Sequence, residues 1–135
     1  MISEENCIFC RIIRGEIPVV KLYEDEKCLA ILDKFPATKG QSLVISKQHE
    51  DYIFNLDEET YIHLFETAKN ISKAIDSSLN TIRTCLVVEG FEVPHVHIRL
   101  HPAYEKRLIL AGKEAGDKEL ILIADKIKET LSTTY

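Results

Sequence analysis

At 135 residues and 15.4 kDa the chain has the length of one domain, and a domain of that size hides roughly 65–70% of its unfolded surface on folding, so neither metal nor disulfide is needed merely to fold. Lys and Arg number 17 against 22 Asp and Glu, a formal charge of −5 with no block of five like charges; this speaks against a nucleic-acid coat or a polybasic membrane anchor. No apolar run approaches the ~20 residues of a membrane helix, and the opening MISEENCIFC lacks the basic-then-apolar layout of a signal peptide, so a cytoplasmic protein is expected.

In chain order, Ile8 to Arg14 reads as a turn or two of helix with apolar residues at 8, 9, 12 and 13, closed by Gly15 at the position that favours glycine. Residues 19–24 and 28–33 are strand-like runs around Asp25-Glu26-Lys27 and suit a hairpin. A loop over 34–40 leads to a third strand at 41–46. Asp57 opens the longest helical stretch, where Ile62, Phe65, Ala68, Ile71, Ile75 and Leu79 recur every three or four residues. Strands over 81–89 and 93–100 follow, and Asp117 to Leu131 repeats the helical pattern with Leu120, Ile121, Ile123, Ala124, Ile127 and Leu131; Gly112 to Gly116 looks like its hinge. No repeat or linker divides the chain. The expectation is one α+β domain over 1–135, with an antiparallel sheet of five strands, one long helix and a C-terminal helix over about 117–131.

The chemistry concentrates in Val93-Pro94-His95-Val96-His97-Ile98-Arg99-Leu100-His101-Pro102. Strand side chains alternate faces, so His95, His97, Arg99 and His101 project one way and Val96, Ile98 and Leu100 the other. Three imidazoles beside an arginine are costly to bury without a ligand. Two chemistries fit: a phosphate site in which Arg99 supplies a fork of donors and a neutral histidine acts as nucleophile or base, or a catalytic zinc held by His95 and His97. The four cysteines, at 7, 10, 28 and 85, are too few and too scattered for a secreted disulfide scaffold, whereas the pair Cys7 and Cys10 has metal or redox spacing. No strand precedes Cys7, so a thioredoxin-like context is missing.

The 93–102 segment resembles the motif of the histidine triad (HIT) superfamily, His-φ-His-φ-His-φ-φ with φ apolar. Residues 7–18, Tyr23-Glu24-Asp25, 29–33 and 36–49 are similar, in order, to small prokaryotic-type members, so the likeness spans about 7–103 and leaves 104–135 outside the motifs. The resemblance implies a nucleotide-binding hydrolase of nucleoside 5′-phosphoramidates or related mononucleotide derivatives, with His97 as the attacking histidine, a covalent nucleotidyl-histidine intermediate and Asp33 on the ribose hydroxyls of a purine nucleotide. It also implies a homodimer, formed through a sheet edge and the long helix, and a structural zinc held by Cys7, Cys10, His49 and His95, a closed tetrad with no place for water. Departures from the pattern are Arg99 in the third motif position, Gln41 where many members have a pocket histidine, a short 89–93 segment with Phe91 and Glu92 in place of phosphate-binding polar residues, and His101 at a normally apolar position. A carboxylate at 92 would repel phosphate unless Arg99 paired with it. Gln41, Arg99 and His101 are nonetheless expected in the nucleotide site. Rival readings are a non-catalytic nucleotide-binding or regulatory protein, and a zinc-dependent hydrolase using His95, His97 and His101. Cys28 and Cys85 read as core thiols and His63 as a solvated helix residue.

Overall fold

The computed structural model describes residues 4–134. The strands are β1 (Lys21–Glu24), β2 (Cys28–Leu32), β3 (Ser42–Ser46), β4 (Arg83–Val87) and β5 (His97–Ala103), and the helices are α1 (Ile8–Ile13), α2 (Glu58–Leu79) and α3 (Asp117–Thr134). All five strands form one antiparallel sheet in the order β1-β2-β3-β5-β4. The expected α+β architecture is therefore what the chain adopts.

The sheet has two differently used faces. Cys28, Ala30, Leu32, Val44, Ile98 and Leu100 point to a core shared with α2 and α3. Leu29, Ile31, Leu43 and Ile45 point the other way, where the short α1 covers them with Phe9 and Ile12, joined by Ile17, Val19 and Val93. Because side chains alternate along β5, the second face also receives His97, Arg99 and His101. The face under α1 is thus where these polar side chains gather.

Local chemistry explains the helix ends. The Asp57 carboxylate accepts from the Thr60 amide at 3.0 Å and starts α2. Beyond α1, the Gly15 amide bonds the Ile12 carbonyl and the Glu16 amide the Arg11 carbonyl, with Gly15 at φ 79°; this reverse turn needs the left-handed backbone that glycine adopts freely.

Three sequence expectations change. The buried stripe of α2 runs through Thr60, Leu64, Thr67, Ala68, Ile71, Ala74, Ile75 and Leu79, leaving Ile62 exposed and Phe65 half-buried. Ile62 sits two residues, or about 200° of helix, from Leu64, so the apolar count was right while the first turn's phase was not. In α3, Leu120, Ile123, Ala124, Ile127 and Leu131 are buried and Ile121 is half-exposed. Gly112 is a contact point: a Cβ built there would overlap the Pro36 carbonyl, so the chain at Gly112 presses backbone to backbone on the loop after β2.

A candidate nucleotide cavity beside a metal-capable Cys/His cluster

Two constellations form on the α1 side of the sheet, and His95 and His97 separate them. β5 begins only at His97, so His95 lies in the preceding bend, where the Val96 amide bonds the Glu50 carbonyl at 2.7 Å and the Val96 carbonyl accepts from Ser46 at 3.1 Å. The bend keeps both rings on one side, with Phe9 edge-on to each at centroid distances of 5.8 and 4.7 Å.

His95 is fully buried. Its Nε2–H donates to the Ser46 carbonyl at 2.6 Å, which leaves Nδ1 as the ring's acceptor. That atom lies 3.2 Å from Cys7 Sγ, 3.5 Å from Cys10 Sγ and 3.1 Å from His49 Nδ1, and His49 Nδ1 lies 3.1 Å from Cys10 Sγ. All four sequence-expected ligand atoms therefore converge, contributed by the start of α1, the segment after β3 and the bend before β5. Two thiols and two imidazoles within bonding reach of one point are a donor set suited to a tetrahedral metal. Burial, reinforced by the neighbouring Cys7 thiol, pushes the Cys10 thiol up to about 12, so in the absence of metal that sulfur keeps its proton. A second cluster of metal-capable type, Asp25, Cys28 and His63, forms between the β1–β2 turn and α2; neither it nor the first includes His97 or His101. The three-histidine ligand set of a zinc hydrolase therefore does not assemble among the described residues.

His97 is 5% exposed and its Nδ1–H donates to the His95 carbonyl at 2.7 Å. Since only the protonated nitrogen can donate, Nε2 is left with its lone pair. Burial, with a smaller contribution from Arg99, holds the ring below the ordinary imidazole range and therefore neutral.

The ring stands on the floor of a cavity of about 950 Å³, ample for a mononucleotide. Ile31, Leu43, His97 and Arg99 make its floor, α1 and residues 17–20 one wall, Asp33 to Phe35 with Leu110 to Gly112 and the first turn of α3 another, and Glu89, Glu92 and Val93 the third. Asp33 is fixed by the Phe35 amide at 2.8 Å and by Gln41 Nε2 at 2.7 Å. Gln41 lines the cavity, yet its amide is engaged in holding Asp33 and, through Oε1, the Ala37 amide at 2.8 Å. Its place is to position Asp33.

Arg99 reaches the cavity and pairs with Glu89 at 3.2 Å, while its buried Nε has no partner among the described residues. The carboxylate that meets Arg99 is thus Glu89 and not Glu92. His101 follows on the same face, 1% exposed and outside the cavity lining; the Ile109 backbone acts on its titration, but neither ring nitrogen makes a hydrogen bond of ordinary geometry. Burial holds this ring, too, below its ordinary range. Cys28 is a core thiol, pushed up to about 12 by burial, whereas Cys85 is partly exposed on edge strand β4. His63 is no free surface residue: its Nε2 lies 2.7 Å from Asp25 Oδ2.

Sequence reasoning did not anticipate Glu89, Lys34, Asp117 or the 110–112 wall as parts of the cavity. A hairpin register would have found Glu89, since Val87 stands opposite Arg99 and a step of two brings 89 across from His97 on the same face. Nothing in the sequence announced the wall, which depends on the Gly112–Pro36 approach.

Residues 14–106 match the family model described as HIT domain. The chain belongs to the HIT family. Among its relatives is the protein named hit of Bacillus subtilis, 40% identical over 107 residues, covering 76% of this chain and 74% of that one. Another is the adenosine 5′-monophosphoramidase hnt1 of Schizosaccharomyces pombe, 37% identical over 98 residues, covering 72% and 74%. Among solved structures, a Hit-like protein of Bartonella henselae superposes with TM-score 0.89 at 26% identity over 96% of this chain and 99% of that one. A zinc-bound histidine triad family protein of Mycobacterium smegmatis has TM-score 0.84 at 24% identity over 97% and 96%, a likeness of fold. The HIT match ends at 106, so Leu110 to Gly112 and the α3 residues of the cavity lie beyond it.

Proposed function

We propose that this HIT protein hydrolyses purine nucleoside 5′-phosphoramidates through a nucleotidyl group carried on His97. The observation behind this reading is the orientation of His97: with Nδ1–H on the His95 carbonyl, Nε2 keeps its lone pair on the floor of the cavity beside Arg99. Nε2 attacks phosphorus, the P–N bond breaks with its electron pair going to the amine, and the amine leaves with a proton taken up from solvent. Water then attacks phosphorus, loses a proton and displaces the imidazole, releasing the nucleoside monophosphate and restoring neutral His97. Arg99 lies beside the phosphate in both displacements, Asp33 receives the ribose hydroxyls, and Gln41 keeps Asp33 in place.

Cys7, Cys10, His49 and His95 would hold a structural zinc. When bound, it supplies no chemistry to the phosphate; it fastens α1 and the bend before β5 to the sheet, which sets the His95 carbonyl that orients His97. We further propose that 1–135 acts as one domain, that two copies associate through the exposed edge of β4 and the adjoining face of α2, and that the protein works in the cytoplasm. Support for association comes from Leu86, Phe54 and Ile82, all large, apolar and exposed near that edge; support for the compartment comes from the free cysteines. No helix among the described residues is long and apolar enough to cross a membrane.

The test is steady-state hydrolysis of adenosine 5′-phosphoramidate by wild type and His97→Ala. Loss of at least about a thousandfold in kcat, with adenosine monophosphate binding retained in a thermal-shift titration, is the expected result. Hydrolysis that persists in the variant would overturn the reading.

A further inference from the structure

The cavity is oddly charged for a phosphate site. Beside neutral His97 it holds four carboxylates, Asp33, Glu89, Glu92 and Asp117, against two cations, Lys34 and Arg99. Both cations are already engaged: Lys34 Nζ lies 2.7 Å from Asp117 Oδ1 and Arg99 Nη2 lies 3.2 Å from Glu89 Oε1. Glu92, exposed at the rim, has no hydrogen-bond or ion-pair partner among the described residues. A ligand bearing several negative charges would meet an uncompensated carboxylate at this end of the site.

The sheet order gives this charge a direction. Asp33 follows β2 and Glu89 follows β4, and β3 and β5 lie between them. His97 and Arg99 on β5 therefore stand between Asp33 on one side and Glu89 with Glu92 on the other. A nucleotide whose sugar sits at Asp33 and whose phosphorus sits over His97 directs its leaving group toward Glu89 and Glu92. Glu89 is compensated by Arg99, and Glu92 is not.

We propose that Glu92, backed by Glu89, selects phosphoramidates whose leaving amine carries a second, positively charged ammonium group, and discriminates against leaving groups that carry an anion. This rests on the hydrolase reading above, because it assigns the leaving-group side of that same site. An ammonium on a flexible stem of a few carbons reaches from a P–N nitrogen to a rim carboxylate, and a single unscreened pair across a partly solvated gap changes affinity by about tenfold. Salt weakens such a pair, so the preference should shrink as ionic strength rises.

The test measures kcat/KM for three adenosine 5′-phosphoramidates of equal chain length, made from 1,4-diaminobutane, butylamine and 4-aminobutanoic acid. The expected order is ammonium over neutral over carboxylate, with about tenfold between the extremes at low salt and less in 0.5 M sodium chloride. In Glu92→Gln the ammonium-to-carboxylate ratio should fall several-fold toward one, and dividing wild-type by variant ratios cancels the intrinsic reactivity of the three compounds. Equal turnover of all three, or a ratio that Glu92→Gln leaves unmoved, would overturn the selectivity while leaving the hydrolase reading intact. No turnover of any of the three would overturn the hydrolase reading and the selectivity with it.

Discussion

Asp25 shows how one side chain ties two elements together, with a consequence that acid titration can read. Its Oδ1 accepts from the Lys27 and Cys28 amides at 2.9 and 3.0 Å, and its Oδ2 meets the Tyr23 hydroxyl and His63 Nε2, both at 2.7 Å. The turn between β1 and β2 is thereby fastened to α2. Burial alone would raise this carboxyl, but the Tyr23 hydroxyl, the Lys27 and Cys28 amides and His63 outweigh it and hold the group far below its ordinary value of 3.8. A carboxylate whose folded pKa is depressed contributes stability above its unfolded pKa and loses it as pH falls toward the folded one. Asp25→Asn should therefore lower stability at pH 7 by about 1–3 kcal/mol and flatten the decline of stability below about pH 4. Urea denaturation from pH 7 to pH 2.5 checks this; parallel curves for wild type and variant would contradict it.

At the scale of elements, the wall of the cavity depends on the loop after β2 meeting the segment before α3. The Gly112 approach to the Pro36 carbonyl is joined by the Ala115 amide on the Lys34 carbonyl at 2.9 Å and by the Lys34–Asp117 ion pair. A methyl group at 112 cannot be accommodated by a side-chain rotation, because what it meets is backbone. Gly112→Ala should cost about 1–3 kcal/mol and raise KM for any nucleotide substrate more than it lowers kcat; denaturation midpoints and KM unchanged from wild type would contradict it. This wall is also where the sequence was least informative. Periodicity located all five strands and three helices, because each has a regular apolar repeat or a capping residue such as Asp57 or Gly15. It misjudged Ile62, which stands about 200° from Leu64 on the far side of α2, and Ile121, which stands one step of about 100° from Leu120 at the border of the α3 stripe. The spacing of His95, His97 and Arg99 revealed the site's floor, and Cys7, Cys10, His49 and His95 meet as the family resemblance implied. Glu89 and the Gly112 contact arise from register and loop packing, and neither leaves a periodic trace. His63 was misread for the same reason: its partner Asp25 is 38 residues away, on a turn that no local pattern links to α2.

Across the whole molecule, one face of the sheet carries the larger core and the other carries a smaller one together with the cavity, and the Cys/His cluster stands on the second face through His95. If the cluster holds zinc and two copies share the β4 edge, native mass spectrometry of protein expressed with adequate zinc should give a dimer with one zinc per chain, and Cys7→Ser should lose the metal together with thermal stability. A monomer, or metal-free wild type, would contradict the respective proposal. The orientation of His97 is the feature on which the proposed function turns, and it is tested most directly by trapping. Wild type mixed with a stoichiometric amount of adenosine 5′-phosphoramidate and quenched in base within milliseconds to seconds, then digested and analysed by mass spectrometry, should show an adenylyl group on the peptide containing His97, absent in His97→Ala. Rapid release of adenosine monophosphate in a single turnover with no adenylylated peptide at any time point, or an adduct on another residue, would contradict the covalent role assigned to His97.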